Sequence, residues 1–123
     1  TDISKAYRIA RRNTLVEERF SLQQIEPEAE FEVHAVRLGD IVFATNPFEL
    51  YLDYGMQIKC RSKAVQTFIV QLAGPGSYLP TERSIKGGAY GAVPTSTLVG
   101  PEAGQKLVEW TLKTIDDLYR ISN

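Results

Sequence analysis

The chain has 123 residues, 14 basic against 15 acidic, a net charge of −1 and 43% hydrophobic residues. That is enough apolar material for the core of one domain. The balanced charge and the lack of a basic patch argue against nucleic acid as a partner. No apolar run approaches the roughly 20 residues needed to cross a bilayer, so no transmembrane segment is expected. Cys60 is the single cysteine, which excludes an internal disulfide and leaves the redox compartment open.

Taken in chain order, Ser4 to about Gln24 reads as a helix, because Ala6, Ile9, Asn13, Val16 and Phe20 recur at three- and four-residue spacing. Its arginines and glutamates fit a solvated or interfacial face. Glu26-Pro27-Glu28 interrupts it, since proline fixes φ and removes a donor. Phe31 to Leu38 and Ile41 to Thr45 read as two strands joined by a Gly39-Asp40 turn, hence a hairpin. The continuously apolar Ile41-Val42-Phe43-Ala44 predicts a strand covered on both faces.

Asn46-Pro47-Phe48-Glu49 resembles a helix start, with asparagine at the N-cap, proline next and a capping-box glutamate. The spacing therefore predicts a helix from Asn46 to about Lys63. Gln66 to Leu72 reads as a third strand, and strand–helix–strand implies a right-handed parallel crossover. Ala73 to Gly100 is rich in glycine and proline and reads as a long loop. The final helix opens at Gly100-Pro101-Glu102, with Val108, Thr111, Leu112, Ile115, Leu118 and Tyr119 as its buried stripe. The fold class expected is α/β: a small mixed three-stranded sheet with a hairpin, one crossover and flanking helices. So small a sheet would normally be covered or continued by other elements. Together with the abrupt opening at Thr1, this leads us to expect that 1–123 is the C-terminal segment of a larger catalytic domain.

Chemistry-bearing residues are few. Ligands in α/β sheets collect at the carboxyl ends of strands, which places Glu49 and the Gly74–Tyr78 rim near a candidate site. Glutamate at a helix start is equally a cap, and a tyrosine on a glycine-rich rim is equally loop packing. Gly74-Pro75-Gly76 is not a phosphate loop, because the Walker lysine is missing. His34 is the only histidine, so the chain cannot form a multi-histidine metal site by itself. It is expected on an exposed strand face, and Cys60 is expected to be buried in mid-helix.

From Arg37 to Tyr119 the chain resembles the end of the catalytic domain of the neutral/alkaline ceramidases. The resemblance rests on Leu38-Gly39-Asp40, then Pro47-Phe48-Glu49-Leu50, then Ser77-Tyr78-Leu79-Pro80-Thr81. It continues through Gly87-Gly88-Ala89-Tyr90-Gly91, Thr95-Ser96-Thr97 and Gly100. Pro47-Phe48 stands where the family commonly has glycine, and Gly91 where it often has an acidic residue. The resemblance implies a zinc amidohydrolase that cleaves the N-acyl amide of ceramide or a related lipid amide. It implies Glu49 and Tyr78 as metal ligands and Tyr90 as a substrate-binding phenol of the active site. It also implies two histidine ligands and a serine nucleophile in the N-terminal part of the domain, outside this sequence. By itself the fragment would then be inactive. Relatives of that kind are secreted, periplasmic or membrane-associated. The competing reading is a stand-alone, non-catalytic α/β binding or interaction module.

Overall fold

The computed structural model describes residues 1–121. Two compact units divide the chain, one spanning Thr1–Glu30 and one beginning at Phe31. The first is essentially a single helix, α1 (Asp2–Gln23), closely matching the predicted span; none of its residues is buried. The chain leaves the helical path before Glu26-Pro27, as the proline requires.

The second unit begins with a hairpin of β1 (His34–Leu38) and β2 (Ile41–Thr45). The strands are antiparallel, and Gly39 takes φ 61° in the turn, a conformation that costs glycine nothing. After β2 come a short strand β3 (Glu49–Leu50), helix α2 (Leu52–Arg61) and strand β4 (Gln66–Val70). β4 pairs in parallel with β2, so the main sheet is mixed, three-stranded and ordered β1-β2-β4. This is the fold class expected from the sequence.

The predicted loop from Ala73 to Gly100 holds more structure than expected. It contains β5 (Tyr78–Leu79), the short helix α3 (Glu82–Lys86) and a 3₁₀ turn (Tyr90–Ala92). β5 pairs in parallel with β3, which makes a second, two-stranded sheet. Helix α4 (Pro101–Arg120) closes the unit with Pro101 in its first turn. Its buried face is Gly104, Leu107, Val108, Thr111 and Ile115. Leu112 and Tyr119, placed on that stripe by spacing, are only partly buried.

The core lies on one side of the main sheet. Val42 on β2, Tyr54 and Ile58 on α2, Leu79 on β5, and Leu107, Val108 and Ile115 on α4 form one buried cluster with Phe48. Arg37 ties β1 to the end of α4. Its guanidinium donates to the Leu118 carbonyl at 3.0 Å and lies 3.8 Å from the centre of the Tyr119 ring.

The opposite sheet face is not covered as expected. In β2 only Val42 and Ala44 are buried, while Ile41, Phe43 and Thr45 alternate with them at intermediate exposure. The register Val36↔Phe43↔Phe68 runs an apolar row across that face, and the Phe43 and Phe68 rings stack at 4.9 Å. Val36, Leu38 and Phe68 keep 56, 68 and 42% of their surface exposed. The apolar run of β2 thus reflects one packed face and one open apolar face. No helix among the described residues is long and apolar enough to cross a membrane.

Candidate functional site at the β3–β5 pair

The predicted helix start at Asn46 is a bend followed by a strand. Asn46 Oδ1 does not cap a helix; it accepts from the Phe48 backbone N–H at 3.1 Å, two residues on, in an Asx turn. Glu49 N–H donates to the Ser77 carbonyl at 3.0 Å, and Tyr51 N–H to that of Leu79 at 3.4 Å. These partners lie far along the chain. They outcompete the local capping box and delay α2 until Leu52, with Tyr51 at its N-cap and no capping side chain. The bend is anchored on the β4 side, where Asn46 N–H donates to the Val70 carbonyl and Ala73 N–H to that of Asn46, both at 2.9 Å. Glu49 consequently stands just beyond the carboxyl ends of β2 and β4, where α/β sheets gather ligands.

Tyr78 reaches the same place from the other segment. In the β3–β5 register Glu49 is paired with Tyr78, and Leu50 with Leu79. Registered residues of parallel strands project to the same face, so Glu49 and Tyr78 emerge together. The far side of β5 is fixed by an isolated parallel bridge from Tyr78 to Thr97 and by Tyr78 N–H donating to the Ser96 carbonyl at 3.2 Å. The Ser77 hydroxyl accepts from Leu98 N–H at 2.9 Å.

The electrostatics follow from this pairing. The Tyr78 phenol is held above its ordinary pKa of 10.0, first by hydrogen-bonding interaction with the nearby Glu49 carboxylate. Desolvation, the negative charge of Glu49 and the neighbouring Tyr90 and Tyr51 phenols act in the same direction. Tyr90 sits in the 3₁₀ turn, 77% exposed, and its ring meets that of Tyr78 edge-on at a centroid distance of 6.1 Å. The structure therefore brings together the three residues singled out in the sequence, Glu49, Tyr78 and Tyr90. Tyr51 packs against the core yet is near enough to act on the Tyr78 phenol, a proximity hidden by the assignment of its segment to a helix. Two residues after Glu49 in an extended segment, it would otherwise have been expected on the same side.

Other candidates lie elsewhere. His34 is on β1 and exposed, as expected, with its Nε2 3.0 Å from Glu32. Cys60 is exposed, contrary to the expected burial, because α2 turns Tyr54 and Ile58 to the core. Among the described residues, no group of three or more His, Cys, Asp or Glu side chains is placed to hold a metal ion. Glu49 and Tyr78 are chemically suited to a divalent cation, as a carboxylate and an ionisable phenol on one face. They supply two donors of the four that zinc ordinarily takes. No family model, curated protein or solved structure matches this chain.

Proposed function

We propose that this chain contributes Glu49 and Tyr78 as two oxygen ligands of zinc in an amidohydrolase resembling the neutral ceramidases. In this reading Tyr90 binds the substrate beside them. The remaining ligands and the nucleophile come from the N-terminal part of the same catalytic domain, and the chain alone is inactive. A lipid amide is the substrate class. One observation supports the reading: two oxygen donors 29 residues apart in sequence are registered partners on adjacent parallel strands. Neither pairing partner is required by the core, which is built from the neighbours Phe48, Leu50 and Leu79. Bound zinc would polarise an amide carbonyl and favour the Tyr78 phenolate, opposing the effect of Glu49 alone. In this reading Glu49 and Tyr78, registered partners on the same face, would offer their oxygens to one cation, and the exposed Tyr90 phenol would meet a substrate oxygen or nitrogen.

A two-donor half-site binds weakly, so the test is a nuclear magnetic resonance titration of the whole chain with millimolar zinc. Backbone shifts should concentrate at Glu49–Tyr51, Tyr78–Leu79 and Tyr90, and should vanish in Glu49→Gln and in Tyr78→Phe. Shifts centred on His34 and Glu32, or identical in all three proteins, would overturn the assignment. Zinc-dependent hydrolysis of an N-acyl amide by the chain alone would overturn the division of ligands between two segments.

A further inference from the structure

Gly91 lies in the 3₁₀ turn and is buried against the Tyr78 ring. A Cβ on it would stand 2.5 Å from Tyr78 Cδ1, 2.6 Å from Cγ and 3.0 Å from Cε1. Carbon atoms do not approach so closely, so the ring rests directly on the backbone of the turn. Its φ is not in the left-handed region, so conformational freedom does not explain the glycine; close approach does.

We infer that Gly91 is a positioning residue: its bare backbone is the wall that sets the orientation of the Tyr78 ring toward Glu49. The inference rests on the reading of Glu49 and Tyr78 as a ligand pair for its functional meaning, though not for its geometry. The main chain of Tyr78 is held on both sides, by β3 and by the bridge to Thr97. A side chain at position 91 therefore cannot be accommodated by sliding β5. Either the ring swings about its side-chain torsions, carrying the phenol oxygen off Glu49, or the 3₁₀ turn moves out and takes Tyr90 with it. Both separate the three residues of the site. Gly76 works toward the same end from the preceding loop, where a Cβ would collide with the Pro47 carbonyl. The two segments bearing Glu49 and Tyr78 are thereby packed backbone to backbone just before they pair.

The experiment compares the whole chain as wild type, Gly91→Ala, Tyr78→Ala and the Tyr78→Ala/Gly91→Ala double variant. In wild type the Gly91 α-protons should be ring-current shifted upfield and show cross-relaxation to the Tyr78 ring, and the Tyr78 ring to the Glu49 side chain. Gly91→Ala should lose the Tyr78–Glu49 contact and weaken zinc binding roughly 10–100-fold, the range seen when a residue orienting a ligand is lost. It should also lower the unfolding midpoint in wild type but much less in the Tyr78→Ala background, because the collision is with the ring. If Gly91→Ala fails to fold, recovery of folding in the double variant sustains the inference, and failure of both overturns it. An unchanged Tyr78–Glu49 contact in Gly91→Ala also overturns it. If wild type binds no zinc, the ligand reading falls, while the ring contacts and the double variant still decide the role of Gly91.

Discussion

Replacing Tyr54 with phenylalanine removes one oxygen and tests how the β5 segment is held in place. Tyr54 projects from α2 into the core with 4% of its surface exposed. Its hydroxyl donates to the Pro80 carbonyl at 2.9 Å and lies 3.0 Å from the Pro101 carbonyl, so a single hydrogen serves the end of β5 and the start of α4. A hydrogen bond of this kind contributes about 1 kcal/mol net, and stranding buried carbonyls costs a further 1 kcal/mol or so, giving about 2 kcal/mol in all. In a unit of about 90 residues, each kcal/mol moves the melting temperature by roughly 4–8 °C, so the loss should be roughly 8–16 °C. Phenylalanine retains the ring, which leaves the contact with α4 intact and isolates the hydroxyl. Urea unfolding followed by the single tryptophan, Trp110 on α4, reads the change directly. A destabilisation below about 0.5 kcal/mol would refute the pinning of β5 by Tyr54, since it would equal that of an ordinary surface substitution.

Two further outcomes follow from the same structure. Burial, and then the negative charges of Asp53, Glu102 and Glu82, raise the Tyr54 pKa above its ordinary 10.0. A phenol with a raised folded pKa contributes stability that is complete below the unfolded value and is lost as pH rises through the folded one. Urea midpoints should therefore fall above about pH 10, and Tyr54→Phe should flatten that fall; an identical alkaline slope in the variant would contradict the assignment. On the open sheet face, Val36→Lys should change stability by no more than about 0.5 kcal/mol and reduce the binding of a hydrophobic dye. A loss of several kcal/mol would mean that this face is packed.

How much of this was legible in the sequence varied with the range of the interactions. The hairpin was readable because Gly39-Asp40 supplies the turn and its flanks supply the strands, all within about a dozen residues. Helix α4 was readable because twenty residues carry a sustained stripe. Glu49 was misplaced for the complementary reason. Asn-Pro-Phe-Glu satisfies every local rule for a helix start, and what overrules them is a carbonyl on Ser77. β5 and β3 are two residues each and leave no periodicity to detect. Helix α3 is announced only by Thr81, whose hydroxyl caps Ser84 N–H at 3.2 Å. The importance of Gly91 was invisible, because a residue without a side chain does not disclose which ring it approaches.

Glu49 and Tyr78 nevertheless meet despite the misassignment of the Glu49 segment to a helix, and the reason lies in the residues beside them. Phe48 and Leu79 are almost wholly buried, and Leu50 packs against the same cluster. Each such side chain contributes about 1.5–3 kcal/mol when removed from water. Strand side chains alternate between faces, so burying Phe48 and Leu50 turns Glu49 outward, and burying Leu79 turns Tyr78 outward. A slip of one residue in either strand would expose these apolar groups and bury a carboxylate or a phenol, which makes the register strongly determined. Apolar burial chooses the face, parallel pairing chooses the partner, and the polar pair needs no interaction of its own to be assembled. It follows that Glu49→Gln should leave the β3–β5 pairing in place, whereas Leu79→Ala, which leaves both polar groups intact, should loosen it. Amide exchange at Glu49 and Tyr51, whose N–H groups donate to Ser77 and Leu79, distinguishes the two. Faster exchange in Glu49→Gln than in Leu79→Ala would show that the polar pair, and not the core, holds the strands together.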